Sequence, residues 1–452
     1  MGDFKTFYCA AQVAYERGNP YDSAPLGRCE LLPAPRPLYV PKPGLVLPAP
    51  LPGYAIAAFV PFALMPFLPA AVLWFLVLSV ATLVSILLLV RIGAGDAWTI
   101  GVALAIPLIA ISFVLGQVVP VALLGVVLTA FAVQREASPA TSAMVVAGIA
   151  LAFAEPQAGV AVAIACALLG RRHALAVAVA VGLLAAVSLV SIGFHANLVY
   201  LREVVPAQLA AELPVYFQYS TSWIAAHLGM GASHAVDLGR LQWLAMLGIT
   251  AAIARSAFAK RHPEGAVLAA SALAVAGGPY LHLQHVALAL PAALWLARNR
   301  QRESKLATVA VIALALPLLQ FFLIAGRTPA ALALALYLAV ALWLGIVYGG
   351  GLRGGLVSCA ATACAILIAA TAFAITGFGF GPSAPTQAIA SQMAQASWAH
   401  FAALHYAASS PAVWIVKAPT WLGLGAAAGG LIGLARGYGK RQQLPGATNY
   451  AT

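Results

Sequence analysis

The sequence predicts an all-α polytopic transmembrane helical bundle of about 12–13 spans, the strongest of them mostly near the ~20 residues that cross ~30 Å of hydrocarbon. Three observations predict it. Of 452 residues, 63% are hydrophobic and only 8% charged, with a mean hydropathy of +0.94, outside the range of water-soluble chains. Apolar runs recur from about residue 54 to residue 435 with no polar block long enough to fold alone, so 1–452 reads as a single transmembrane domain. Basic residues fall between those runs at intervals that place every cluster on one side of the membrane.

Residues 1–69 read as an outward N-terminal segment carrying re-entrant or interfacial helices. Within it, Phe4, Phe7, Tyr8, Ala11 and Tyr15 recur at helical spacing. Asp3 stands at the entrance of that helix, where a carboxylate serves as an N-cap. Arg17-Gly18-Asn19-Pro20-Tyr21 follows as a turn whose glycine and proline fix the backbone. The segment has neither a basic n-region nor an apolar h-region, and the expectation is that a first span precedes it in a longer reading frame.

Spans then follow at 70–90, 98–115 and 118–133. The run 138–170 is broken at Glu155-Pro156, which predicts two short helices whose junction reaches one membrane face. Next come a span at 173–194, an outward loop at 195–240, and shorter segments at 241–254, 265–278 and 286–297. Spans at 306–325, 330–348 and 355–375 precede a second outward loop, 377–411, with an interfacial helix over 387–406 and a last span at 413–435.

Arg91, Arg135, Arg171-Arg172, the clusters in 255–261 and 298–305, Arg353 and the cluster in 436–441 all fall on one side with this span count, a test that one missed helix would fail. The positive-inside rule makes that side cytoplasmic. The expected location is therefore the cytoplasmic (inner) membrane, multi-pass, with 1–69, 195–240, 278–285, 326–329 and 377–411 facing the periplasm or exterior. The +12 net charge is spread over loops in this topogenic pattern, which argues against a nucleic-acid partner. Cys166, Cys359 and Cys364 lie in apolar runs; Cys9 and Cys29 lie in the outward segment, where pairing and free thiols both stay open. No cysteine or histidine spacing marks a metal site. The absence of a GxxxxGK[ST] loop, a Rossmann glycine run and a GxSxG elbow leaves ATP-driven work and serine hydrolysis unsupported, and no cofactor is expected.

Several outward polar groups stand out. Glu155 and Gln117 sit at breaks between apolar runs, where ionisable and amide groups mark either function or satisfaction of freed backbone groups. His282 and His285 lie three residues apart and share a helix face. Arg202, Arg327 and Lys42 are outward cations able to meet a phosphate; Arg240 and Lys417 belong to the same outward set, read as solvated or headgroup-facing. Tyr200, Tyr216, Tyr219, Trp223 and His227, like Trp398, Phe401 and Tyr406, fit an aromatic belt or a stacking surface for a sugar.

In order along the chain, GDF-x2-FY-x-AA with RGNPYD, Leu115-Gly116-Gln117, Glu155-Pro156-Gln157, and Gly278-Pro279-Tyr280-Leu281-His282-Leu283-Gln284-His285 resemble motifs of the polyprenyl-phosphate-sugar-dependent glycosyltransferases of family 87. That family is of GT-C class and includes bacterial mannosyltransferases. The resemblance implies a GT-C-like fold and transfer of a hexose, mannose among the candidates, from a polyprenyl-phosphate sugar to an acceptor hydroxyl of a lipid or glycan on the outer face, among membrane lipids. It implies inversion, with Asp3 as general base. His282, His285, Gln117, Glu155, Gln157, Arg202, Arg327 and Lys42 would contact substrate. The chain departs from that pattern at Glu155, where the family usually has lysine, and at Gln117-Val118-Val119, where it usually has Gln-x-Asn.

A lipid phosphate leaves as a stable anion, so one general base suffices for inverting transfer, as in the base half of inverting glycoside hydrolysis. Two rivals stand beside this reading. A secondary transporter or lipid flippase fits the broken helix at Glu155-Pro156, although the chain shows no clear halving. A noncatalytic membrane partner fits the departure at Glu155.

Overall fold

The computed structural model describes residues 1–32, 44–299, 304–325, 328–376, 392–406 and 410–442. Among these residues every regular element is helical, and extended pairing is confined to two isolated bridges, Asp22 with Met393 and Gln218 with His282. Seven helical stretches are long and apolar enough to cross a membrane, and shorter apolar helices lie between them.

The N-terminal segment forms α1 (Gly2–Tyr15), α2 (Ser23–Glu30) and α3 (Gly53–Ala63). Then come α4 (Phe67–Arg91), α5 (Ala97–Pro107) with a π-helical continuation Leu108–Phe113, α6 (Val119–Val133), α7 (Pro139–Ala152) and α8 (Pro156–Leu168). The long α9 (Arg171–Val199) runs through a π turn, Tyr200–Val204, into α10 (Val205–Ala211); α11 (Thr221–His227), α12 (Ala232–Arg255), α13 (Ala257–Arg261) and α14 (Pro263–Gly277) follow. A 3-10 turn Leu283–Leu288 leads into α15 (Leu290–Asn299), α16 (Ser304–Ala315) and α17 (Leu318–Ala325). The chain closes with α18 (Ala330–Tyr348), α19 (Leu352–Thr376), α20 (Ala394–His405) and α21 (Ala412–Gln442).

Helices without a hydrophobic driving force between them associate through close packing, which small residues permit. Gly125 of α6 faces Gly148 and Ala152 of α7 so tightly that a methyl group at either glycine would meet backbone of the other helix. The contact fixes the end of α7 and thereby the Glu155 junction. Gly345 of α18 likewise meets Gly354 and Ser358 of α19. Two large buried clusters result, one built on α1–α4 and one on the remaining spans, with Phe113 and Ala154 packed against both, and a small third cluster gathers Leu213, Ala225, Ala235 and Val236.

Several boundaries differ from expectation. The outward loop 195–240 is mostly helical, because α9 continues past Gly193 (φ +76) and α12 begins at Ala232. The span over 306–325 is interrupted at Pro317, whose carbonyl accepts both the Gln320 N–H and the Tyr337 hydroxyl at 3.0 Å. The segment at 286–297 opens as a tight 3-10 turn instead of an α-helix.

Basic turns gather at one end of the bundle, where a His262–Glu264 pair at 3.4 Å also lies. The Arg172 guanidinium donates to the Arg135 carbonyl at 3.2 Å, and His262 lies 2.9 Å from the Tyr438 hydroxyl. At the α7–α8 junction Glu155 instead faces the 278–285 turn. The bundle therefore has a cationic end and a carboxylate-histidine end.

Candidate functional site

Helix α1 lies over the carboxylate-histidine end. Phe4 is buried and stacks on Trp74 (centroids 6.0 Å, 12° between planes), and the Trp74 indole N–H donates to the Gly116 carbonyl at 2.9 Å. Gly116 has φ +78, and a Cβ there would stand 2.6 Å from the Phe4 Cβ. Only glycine meets both demands without strain. The close approach brings the next residue, Gln117, to Asp3, and its Nε2 donates to the Asp3 carboxylate. Asp3 is thus not an N-cap: Met1 occupies that position without a side-chain cap, and the carboxylate points at α6. Burial pushes its pKa up to about 6; the Gln117 hydrogen bond and a protonated His282 would act the other way, and Glu212 adds to the rise.

The rest of the segment is anchored by covalent and polar ties. Cys9 and Cys29 form a disulfide that joins α1 to α2, with Cα atoms 5.6 Å apart. The Tyr8 hydroxyl donates to Met65 O at 2.8 Å, and that of Tyr21 to Leu51 O at 2.9 Å. The turn at 17–21 sets the fold: Arg17 takes φ +60, Asn19 accepts the Tyr21 N–H at 3.2 Å, and Tyr21 is buried against Tyr200. Beneath α1, burial holds Glu30 up to about 8 while the Leu47 N–H and Lys5 oppose the shift.

The 278–285 turn is built around two imidazoles. The His282 backbone N–H donates to His285 Nδ1 at 3.0 Å, so that nitrogen is an acceptor and the ring proton sits on Nε2. His285 Nε2 lies 3.2 Å from Glu155 Oε1. Gln284 Nε2, which can only donate, lies 3.3 Å from His282 Nδ1, and His282 Nε2 lies 3.0 Å from Glu212 Oε2. Each ring therefore presents Nε2–H to its own carboxylate.

Glu212, at the end of α10, is buried and accepts two further N–H groups, from Gln208 at 2.8 Å and from the Trp398 indole at 2.7 Å. Tyr280 sits among the acids: burial first, then Glu212, Glu155 and Asp3, hold its phenol well above the ordinary range, and its hydroxyl is 3.3 Å from His282 Nδ1. Gln218 fixes the turn from behind, its Oε1 accepting the Leu281 N–H at 2.9 Å.

Apart from Glu30 and Gln218, these carboxylates and imidazoles and the amides bonded to them border one cavity of about 1440 Å3. Of the residues singled out from the sequence, Asp3, Gln117, Glu155, Gln157, His282 and His285 line it; Gln157 reaches it beside Gly278. Arg202 does not: it is exposed on the π turn after α9, outside the lining. Lys42 and Arg327 lie outside the described residues. Lys417, expected at solvent or headgroups, is instead buried, its ammonium 3.1 Å from the Trp223 ring centroid and donating to the Gln218 carbonyl. Tyr219 and Trp223 are buried with it, leaving Tyr200, Tyr216, Trp398, Phe401 and Tyr406 to line the cavity. Glu212 was not singled out from the sequence, although a lone acid in the apolar stretch Ala210-Ala211-Glu212-Leu213 is the signal that intramembrane or interfacial ionisable groups give.

The opposite wall is apolar, from Ile106 and Ile111 to Leu323, Ile324 and Leu336. The cavity can therefore hold an amphipathic molecule with a polar head among carboxylates, amides and imidazoles. Among the described residues no cluster of three or more metal-ligating side chains occurs.

A model of glycosyltransferase family 87 matches residues 52–281. Gln117, Glu155, Gln157, Glu212 and Tyr280 fall inside the matched stretch; Asp3, His282 and His285 fall outside it. No curated protein and no solved structure matches the chain.

Proposed function

Because the chain belongs to glycosyltransferase family 87 and is an all-helical, multi-pass membrane glycosyltransferase of GT-C-like architecture, we propose that it transfers a hexose, mannose among the candidates, from a polyprenyl-phosphate sugar. The acceptor is a hydroxyl of a lipid or glycan at the outer face of the cytoplasmic membrane. The observation that carries the reading is the meeting of Asp3, held by Gln117, with the His282–Glu212 and His285–Glu155 pairs in one cavity that has an apolar flank. The polar head of a lipid-linked sugar matches the first part and its polyprenyl chain the second.

Asp3 is the general base. A carboxyl raised to about 6 is a base poised near working pH, where proton transfer is both available and favourable. The acceptor oxygen bonds to the anomeric carbon as its proton passes to Asp3; the anomeric C–O bond to phosphate breaks, and polyprenyl phosphate leaves with the electron pair. Attack opposite to the leaving group inverts the anomeric centre. Glu155 and Glu212, oriented by the imidazoles, accept hydrogen bonds from sugar hydroxyls, and Gln117 and Gln157 add amide contacts. The aromatic wall offers ring faces to a sugar. The disulfide in α1–α2 and the basic turns at the opposite end support an oxidising, outward side for the cavity.

The test is transfer from a radiolabelled polyprenyl-phosphate hexose by purified protein in lipid nanodiscs, wild type against Asp3→Asn. Loss of transfer with unchanged monodispersity supports the role of Asp3, and full activity of the variant refutes it.

A further inference from the structure

Resting on that reading, we infer that Arg240 and Trp243 form the phosphate-binding edge of the cavity, and that the histidine pair does not contact the phosphate. The ring nitrogens of both imidazoles are already engaged within the protein. His285 Nδ1 already accepts the His282 N–H, His282 Nδ1 faces the Gln284 amide, and both Nε2 atoms face carboxylates.

Three carboxylates line the cavity, and among its described lining residues Arg240 is the only lysine or arginine. The helix sets its position. Gly239 is buried against Ser222 and Pro279, where an added Cβ would stand 3.2 Å from the Pro279 Cα. This packing lays α12 along the 278–285 turn and leaves the next residue, Arg240, at the cavity mouth with its side chain 44% exposed. Its ion pair with Asp237 at 3.1 Å involves two exposed groups, a kind of pair worth little and readily exchanged for a better anion.

Trp243 supplies the second observation. One turn further along α12 it lines the same cavity, and its indole Nε1 is buried without a hydrogen-bond partner among the described residues. Such an unsatisfied donor calls for an explanation, and a ligand acceptor is one. Residues i and i+3 share a helix face, so Arg240 and Trp243 border the same edge of the cavity. A phosphodiester carries one negative charge and leaves as a phosphomonoester with more. Contacts to its oxygens therefore strengthen as the anomeric bond breaks, which is where binding lowers the barrier.

The experiment measures binding of polyprenyl phosphate, the transfer product, to full-length protein in detergent micelles, with phosphatidylglycerol as competitor. Arg240→Gln should weaken binding by about tenfold or more, the scale of a charge-assisted contact, and Trp243→Phe by roughly threefold. Asp3→Asn should bind as wild type does while losing transfer. Arg255→Gln, on the same helix at the cationic end, controls for bulk charge. Wild-type affinity in Arg240→Gln, or equal loss in Arg255→Gln, overturns the assignment and leaves the transferase reading standing. Equal competition by phosphatidylglycerol makes Arg240 a headgroup contact and also overturns it. Failure of the wild type to bind any polyprenyl phosphate overturns the donor class itself, and the assignment with it.

Discussion

His285 Nε2 lies 3.2 Å from Glu155 Oε1, joining the turn before α15 to the junction between α7 and α8. The neighbouring His282–Glu212 pair repeats the arrangement at 3.0 Å, so one short turn orients two acids contributed by distant helices.

The acidity of Asp3 gives the first prediction. Its carboxyl is raised to about 6 by burial, so the base form is lost as pH falls through that value. Transfer efficiency should drop by about tenfold per pH unit below it. For stability the sign is reversed. The folded value lies above the ordinary 3.8, so the folded state gains stability as pH falls from about 6, and ionisation at higher pH opposes folding. Asp3→Asn should therefore unfold no earlier than wild type at pH 8. A pH–rate profile with no acid limb near 6, or a marked loss of thermal stability in the variant, contradicts this account.

Gly116→Ala tests the placement of α1. The substitution forces a methyl group into a φ +78 backbone and against Phe4, costing about 1–3 kcal/mol. The helix must retreat, separating Asp3 from Gln117. Transfer should fall further than the stability loss alone explains, seen as a lower kcat in protein that remains folded by thermal scanning.

Glu212→Gln should affect both stability and turnover. The carboxylate accepts from Gln208, Trp398 and His282, and an amide can serve those donors with only one oxygen. A loss of about 1–3 kcal/mol is expected for the displaced partner, together with reduced transfer. An unchanged unfolding temperature would show that the three donors do not depend on Glu212.

The Cys9–Cys29 bridge ties the helix bearing Asp3 to α2. Cys29→Ser should lower stability by about 2–4 kcal/mol, the usual range for a native bridge. Adding reductant to the wild type should reproduce the variant's unfolding temperature, and no shift under either treatment would count against a stabilising bridge.

Much of the architecture was legible because apolar runs and basic turns obey the solvent of the bilayer. Pro156 and the acid before it marked the α7–α8 break that the structure shows. The loop at 195–240 was less legible, since its helices are short and mix aromatic with polar residues, and the span read as ending at 194 bends at Gly193 and continues helical. In the cavity, Asp3 reads as a helix N-cap and gains its role only through the family resemblance, whereas Gln117, Glu155 and the histidines could be picked out as polar residues in apolar surroundings. Their partnerships could not, because the Glu212–His282 contact spans 70 residues and no local periodicity encodes it. Arg202 and Lys417 show the same limit in reverse: a cation's presence in an outward stretch says nothing of whether its helix turns it to solvent or inward.

Lys417 carries a consequence for assembly. Its ammonium is satisfied by the Gln218 carbonyl and the Trp223 ring, and Gln218 in turn holds the backbone of the histidine turn. A lysine entering the bilayer on α21 meets an insertion penalty of up to about 3 kcal/mol, relieved only when that earlier turn is in place to receive it. The seating of the C-terminal helix and the placement of the histidine turn are consequently tied to one another through Gln218.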